Sequence, residues 1–132
     1  MITFREYLIE KEGYVTQEQL NVLEKMLDKL FASLDIDVEF TRHFLDRVND
    51  ERNQKQITIF ELTDLFGKVY NKYGKQIKEL NPDAEAVLKD ISTSINVPFV
   101  IEYDRRKGML ELISKTVMRK KDFKTRNKVY KV

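Results

Sequence analysis

Hydrophobic spacing changes its period along this chain, and that change limits the folds open to it. From Thr16 onward, Leu20, Leu23, Leu27, Leu30, Phe31 and Leu34 recur at intervals of three and four, the spacing of one buried stripe on a helix. Thr16-Gln17-Glu18-Gln19 reads as a capping box, in which the Thr and the Gln three residues on each satisfy one free amide. The spacing predicts a helix over about residues 17–34. Directly after it, Asp35-Ile36-Asp37-Val38-Glu39-Phe40 alternates acid and apolar residues, the pattern of a half-buried strand.

The rest of the chain repeats this alternation of types. Residues 2–11, with Phe4 and Leu8, suit a short amphipathic helix stopped by Gly13. Thr41 is placed to cap a helix carrying Phe44, Leu45 and Val48, with Phe40 and Leu45 as a hydrophobic staple. Thr58 and Glu61 form a second capping box ahead of Leu62, Leu65, Phe66, Val69, Tyr70 and Tyr73, and Gly74 is the expected C-terminal cap. Asn81-Pro82 predicts a further helix burying Ala84, Val87, Leu88 and Ile91. Val97 to Tyr103 and Met109 to Met118, joined by Asp104-Arg105-Arg106-Lys107-Gly108, predict a long antiparallel hairpin, and Lys128 to Val132 a last edge strand. The expectation is one α+β domain over residues 1–132, with helices on one face of a small antiparallel sheet.

Composition excludes several chemistries. The 132 residues include no Cys and a single His, so thiolate nucleophiles, thiolate zinc sites and HExxH-type metal sites are absent. No metal or other cofactor is implied. No apolar run approaches 18 residues, and the N-terminus lacks a basic start followed by an apolar stretch. The expected setting is the cytoplasm, with no membrane partner. The net charge of +2 conceals an asymmetry: residues 105–132 hold eleven Lys/Arg against two acids, a net +9, leaving −7 for residues 1–104. A basic segment of that density suits a polyanion. Arg105, Arg106, Lys107, Lys120, Lys121, Lys124 and Arg126 are the candidate nucleic-acid contacts.

The stretch Thr41-Arg42-His43-Phe44-Leu45-Asp46-Arg47-Val48-Asn49-Asp50-Glu51-Arg52, followed by the capped helix that Ile57-Thr58-Ile59 opens, sets a His, an Arg four later and an Arg five later between a strand and a basic hairpin. This resembles the broad group that unites barnase, EndoU, the colicin nuclease domains and the RelE-like toxins, in particular small phage-encoded members. The resemblance covers residues 35–132, with 1–34 as an added helical extension. It implies a helical part packed on an antiparallel sheet and RNA cleavage without a metal. Such cleavage needs a base for the ribose 2′-hydroxyl, an acid for the leaving 5′-oxygen and fixed cations for the phosphorane. By this likeness His43 transfers the proton, Arg47 and Arg52 clamp the phosphate, and Lys115, Thr116 and Arg119 on the closing strands complete the site. Lys115 and Arg119 would share a strand face, with Thr116 on the other. Glu102 is a candidate partner for His43. The departure from active ribonucleases is the lack of a second His.

Each residue has a plainer role beside this one. His43 would be a helix-surface residue bonded to a neighbour such as Asp46. Arg47 and Arg52 would make helix ion pairs, Glu51 being four from Arg47. Three functions compete: a metal-independent ribonuclease of phage or toxin type, a non-catalytic nucleic-acid-binding protein on the same fold, and a protein-binding module, with an antitoxin or a host enzyme as partner.

Overall fold

A computed structural model describes residues 14–132; the helix expected over 2–11 and its Gly13 stop lie outside the described residues. Helix α1 is Gln17–Phe31. Its capping box forms as expected: the Thr16 hydroxyl accepts from the Gln19 amide at 3.1 Å, and the Gln19 side chain accepts from the Thr16 amide at 3.0 Å. Leu20, Leu23, Leu27 and Phe31 are its buried stripe. The last expected turn tightens into a 3-10 turn, Ala32–Leu34, and Asp35 at φ +56° swings the chain into strand β1, Ile36–Phe40. Here the alternation is realised, with Ile36, Val38 and Phe40 buried.

Strand β1 lies at one edge of the sheet, and α1 closes that edge. Asp28 Oδ1 accepts from the Val38 amide at 2.8 Å and Glu24 Oε2 from the Phe40 amide at 3.0 Å. Acids one helical turn apart thus meet amides two residues apart, and the outward backbone of β1 is no template for another strand.

Helix α2, Arg42–Val48, follows with Thr41 at its N-cap but without a side-chain cap; the Thr41 hydroxyl is buried and has no hydrogen-bond partner among the described residues. Phe40 stacks on Phe44, ring centroids 4.4 Å apart, and Leu45 packs partly buried against the same core. A 3-10 turn, Glu51–Asn53, leads to helix α3, Ile59–Lys78, whose Thr58/Glu61 capping box also forms. Gly74 does not end α3, which continues to Lys78. It is buried inside the helix, where a Cβ would stand 3.1 Å from Leu34 Cδ1. The glycine serves close approach of the chain before β1, not termination.

The helix expected after Asn81-Pro82 is strand β2, Glu85–Asp90. Asp83, at φ +72°, makes a turn there instead. Ala86, Val87 and Leu88 are buried in succession, as in a central strand covered on both faces; such a run fits helical spacing equally well. The hairpin is β3, Ile95–Asp104, and β4, Met109–Ser114, turned at Gly108 with φ +65°. Two short strands end the chain, β5, Met118–Arg119, and β6, Lys128–Lys131.

The sheet order is β1-β4-β3-β2-β6, with β5 on the start of β3. The sheet is mixed rather than antiparallel. β1 runs parallel to β4 and β2 parallel to β6, while β3 is antiparallel to β2, β4 and β5. Neither parallel pair is joined by a hairpin, so alternation along the strand carried no information on its direction. The architecture is α+β. One buried cluster joins Leu23 and Phe31 of α1, Phe66 and Val69 of α3, and Ile101, Leu112 and Tyr130 of the sheet, so α1 belongs to the same core as residues 35–132. Among the described residues no helix is long and apolar enough to cross a membrane.

Candidate nucleic-acid interface

A cleft of about 980 Å³ opens at the end of the sheet where β1 and β4 finish. Three stretches line it: α2 with the turn after it, the β2–β3 connection at Thr93 and Ser94, and the segment Lys115 to Asp122. The six residues of the expected site, His43, Arg47, Arg52, Lys115, Thr116 and Arg119, all line this one cleft, as do Lys120 and Lys121. Glu102 does not line it.

Local chemistry explains how these residues reach it. Phe44 and Val48 are wholly buried, which turns the opposite face of α2, with His43 and Arg47, outward. His43 is exposed and has no hydrogen bond to any described residue, Asp46 included. Asp50 ends this unit. Its carboxylate caps the 3-10 turn by accepting from the Arg52 amide at 2.9 Å, takes the Arg52 Nε and Nη2 on its two oxygens, and lies 3.5 Å from Arg47 Nη1. The hydrogen bonds from Arg52 hold the Asp50 carboxyl far below the usual range. The plain reading of Arg47 as an ion-pair residue is thus realised with Asp50, three along, and not with Glu51.

The opposite wall is made by a kink. Ser114 is fully buried, and its hydroxyl lies 2.8 Å from the Pro98 carbonyl and 2.9 Å from that of Thr116. Strand β4 stops there, and Lys115 projects from the connection to β5. Lys115 and Arg119 are therefore not neighbours on one strand face. Asn96, also buried, donates to the carbonyls of Ser94, Met118 and Lys120, fixing the start of the Lys120-Lys121 pair.

Arg119 has a different role from the one expected. Its guanidinium donates to both Glu61 oxygens at 2.8 and 3.0 Å and to the carbonyls of Lys55, Gln56 and Thr93. All five N–H groups are in use, and the side chain is 12% exposed. Burial pushes the Glu61 carboxyl up, but hydrogen bonds from Arg119 and Thr58 outweigh it and leave it below the usual range. Arg119 is a clasp that joins β5, the start of α3 and two loops, not a free clamp for phosphate. Asn53 is the second clasp. Buried, it donates to the carbonyls of Arg47 and Val48 and accepts from the Arg119 amide at 3.0 Å. Neither Asn53 nor Glu61 was a site candidate from sequence. Glu61 was visible only as a cap, and Asn53 only as part of a polar stretch.

The lining carries seven basic side chains, Lys55 included, against Asp50 and Asp122. Lys55, Lys115, Lys120 and Lys121 are exposed and make no ion pair among the described residues. The remaining basic candidates lie elsewhere. Lys124 and Arg126 sit on the connection to β6, which crosses the sheet face turned away from the helices, where Lys89 Nζ holds the Lys121 carbonyl. Arg105, Arg106 and Lys107 form the hairpin tip, at the far end of β4 from the cleft. Lys107 pairs with Asp37 at 3.0 Å, and Asp104 accepts from the Arg106 and Lys107 amides. The tip faces acids: Asp37, Glu111 and Glu102 stand in register on β1, β4 and β3. Burial, together with Asp104 and Glu39 close by, pushes the Glu111 carboxyl up to about 7.

Comparison of the chain with protein-family models, with curated proteins and with solved structures found no match.

Proposed function

We propose that the cleft binds the sugar–phosphate backbone of RNA and that His43 transfers a proton in metal-independent cleavage of it. The observation that carries this reading is the convergence on one open cleft of His43, Arg47, Arg52, Lys115, Lys120 and Lys121, residues up to 78 apart in the sequence. Lysines on loops, unpaired among the described residues, supply the counterion-releasing contacts that polyanion binding needs. In the reaction the 2′-oxygen bonds to phosphorus, its proton passes to a base, and the bond from phosphorus to the 5′-oxygen breaks as that oxygen gains a proton. His43 is the one imidazole in the lining, the side-chain type best matched to either transfer near neutral pH. Arg47, Arg52 and Lys115 would hold the extra charge on the phosphorane.

A second reading, binding without turnover, is favoured by two observations. No described residue orients His43, and Arg119 has no donor left for a phosphate. End-labelled RNA incubated with the protein in EDTA separates the two. Cleavage that persists in EDTA and disappears in His43→Ala, with binding retained, supports the nuclease. Salt-sensitive binding with intact RNA supports the second reading, and no binding in low salt contradicts both.

A further inference from the structure

Two arginines face the cleft with their charge already occupied, and the occupant is a single carboxylate. Arg52 presents Nε and Nη2 to the two oxygens of Asp50 at 3.1 and 2.7 Å, and Arg47 approaches the same carboxylate at 3.5 Å. Two parallel N–H donors on two oxygens of one anion is also the geometry by which a guanidinium grips a phosphate. The pair is exchangeable in a way the Arg119–Glu61 clasp is not. The Arg52 side chain is 75% exposed and that of Arg47 47%, against 12% for Arg119, and exposed ion pairs hold weakly.

We propose that Asp50 is a built-in competitor for the anion this cleft takes: in the free protein it occupies the Nε and Nη2 donors of Arg52 and pairs with the charge of Arg47, and it yields both to a backbone phosphate on binding. The proposal rests on the nucleic-acid reading above and adds a control on its affinity. Asp50 keeps the arginines aimed into the cleft while no ligand is present. It also sets a threshold, because a single weak anion must displace a carboxylate already in place. A polyanion that engages Lys55, Lys115, Lys120 and Lys121 at the same time can meet that cost.

Asp50→Asn isolates this role, since Asn still caps the Glu51–Asn53 turn through its oxygen but carries no charge to hold the guanidinium. The probe is a short 2′-O-methyl RNA, which binds but cannot be cleaved through a 2′-hydroxyl, titrated at about 0.1 M salt. Asp50→Asn is expected to bind about three- to tenfold more tightly than the unaltered protein. Glu51→Gln, which removes a charge beside the cleft without touching the arginines, should give a smaller gain. In an Arg47→Ala/Arg52→Ala background the excess gain should vanish. Asp50→Ser, which also caps, must behave alike and serves if the Asn variant melts early.

Unchanged or weaker binding by both Asp50 variants overturns the proposal, as does a gain no larger than that of Glu51→Gln, or one that survives without the arginines. Failure of the unaltered protein to bind the probe overturns the nucleic-acid reading itself, and this proposal with it.

Discussion

The two ends of the sheet carry opposite charge on opposite kinds of scaffold. At the cleft, the cations sit on loops and helix faces. Lys55, Lys115, Lys120 and Lys121 can spread into water, so their mutual repulsion is small and their charge is available to a ligand. At the hairpin end, Asp37, Glu111 and Glu102 are fixed by ladder hydrogen bonds on three neighbouring strands. Side chains directly opposite on a sheet stand about 5 Å apart and cannot separate. Burial of Glu111, with Asp104 and Glu39 held close beside it, disfavours its charged form there, so its carboxyl is held at about 7. Like-charged groups thus form a binding surface where the backbone leaves them free and a source of strain where it does not.

The largest expected effect comes from cutting what holds the cleft's walls. Arg119→Ala would leave the Glu61 carboxylate half-buried and unpaired and three carbonyls without their donor. A loss of about 3–5 kcal/mol is expected, read from urea melts. A loss below about 1 kcal/mol would mean that the clasp contributes no more than an exposed ion pair.

Next comes the acidic end. Because the folded-state pKa of Glu111 lies above its ordinary 4.5, the folded state holds its proton longer than the unfolded chain. Both states are protonated below about pH 4.5, so nothing is lost there. Stability then falls as pH rises toward 7, and the full penalty applies above it. Glu111→Gln should remove that slope and stabilise the protein at pH 8 by about 1–2 kcal/mol, after allowance for solvent screening at a partly exposed site. The gain should shrink toward zero near pH 4.5. A variant less stable than its parent at pH 8 would contradict a charged Glu111 that costs stability in the folded protein.

The smallest effect is expected at the hairpin tip. Arg105→Ala/Arg106→Ala should change RNA affinity by less than about twofold, because these residues lie beyond a Debye length of roughly 10 Å from the cleft at ordinary salt. A larger loss would extend the interface over the whole basic tail.

Much of this was legible in the chain. The capping boxes at Thr16 and Thr58 mark α1 and α3 because capping chemistry is local. The alternation from Ile36 to Phe40 marks β1, and the hairpin turn ends at Gly108 as read. Long-range pairing was not legible. Ala86-Val87-Leu88 reads as helix or as central strand until its neighbours are known, and Gly74 reads as a stop until Leu34 is seen against it. The site divides in the same way. His43 and Arg47 follow from one helix period, and Lys120 and Lys121 from charge density. The role of Arg119 depends on Glu61, 58 residues away, and that of Asn53 on the Arg119 amide, 66 residues away. No local pattern distinguishes such clasps from ordinary surface residues. Charge density also groups Arg105, Arg106 and Lys107 with the cleft lysines, although the length of β4 stands between them.

The most direct test is a paired charge reversal read by RNA binding across a salt series. Lys115→Glu/Lys120→Glu/Lys121→Glu is set against Arg105→Glu/Arg106→Glu/Lys107→Glu, which changes the net charge equally at the other end of the sheet. If the cleft is the interface, the first triple variant loses at least about a hundredfold in affinity and most of its salt dependence, while the second stays within about threefold of the parent. Equal losses in the two variants would mean that the protein responds to net charge alone and that the cleft is not its nucleic-acid site.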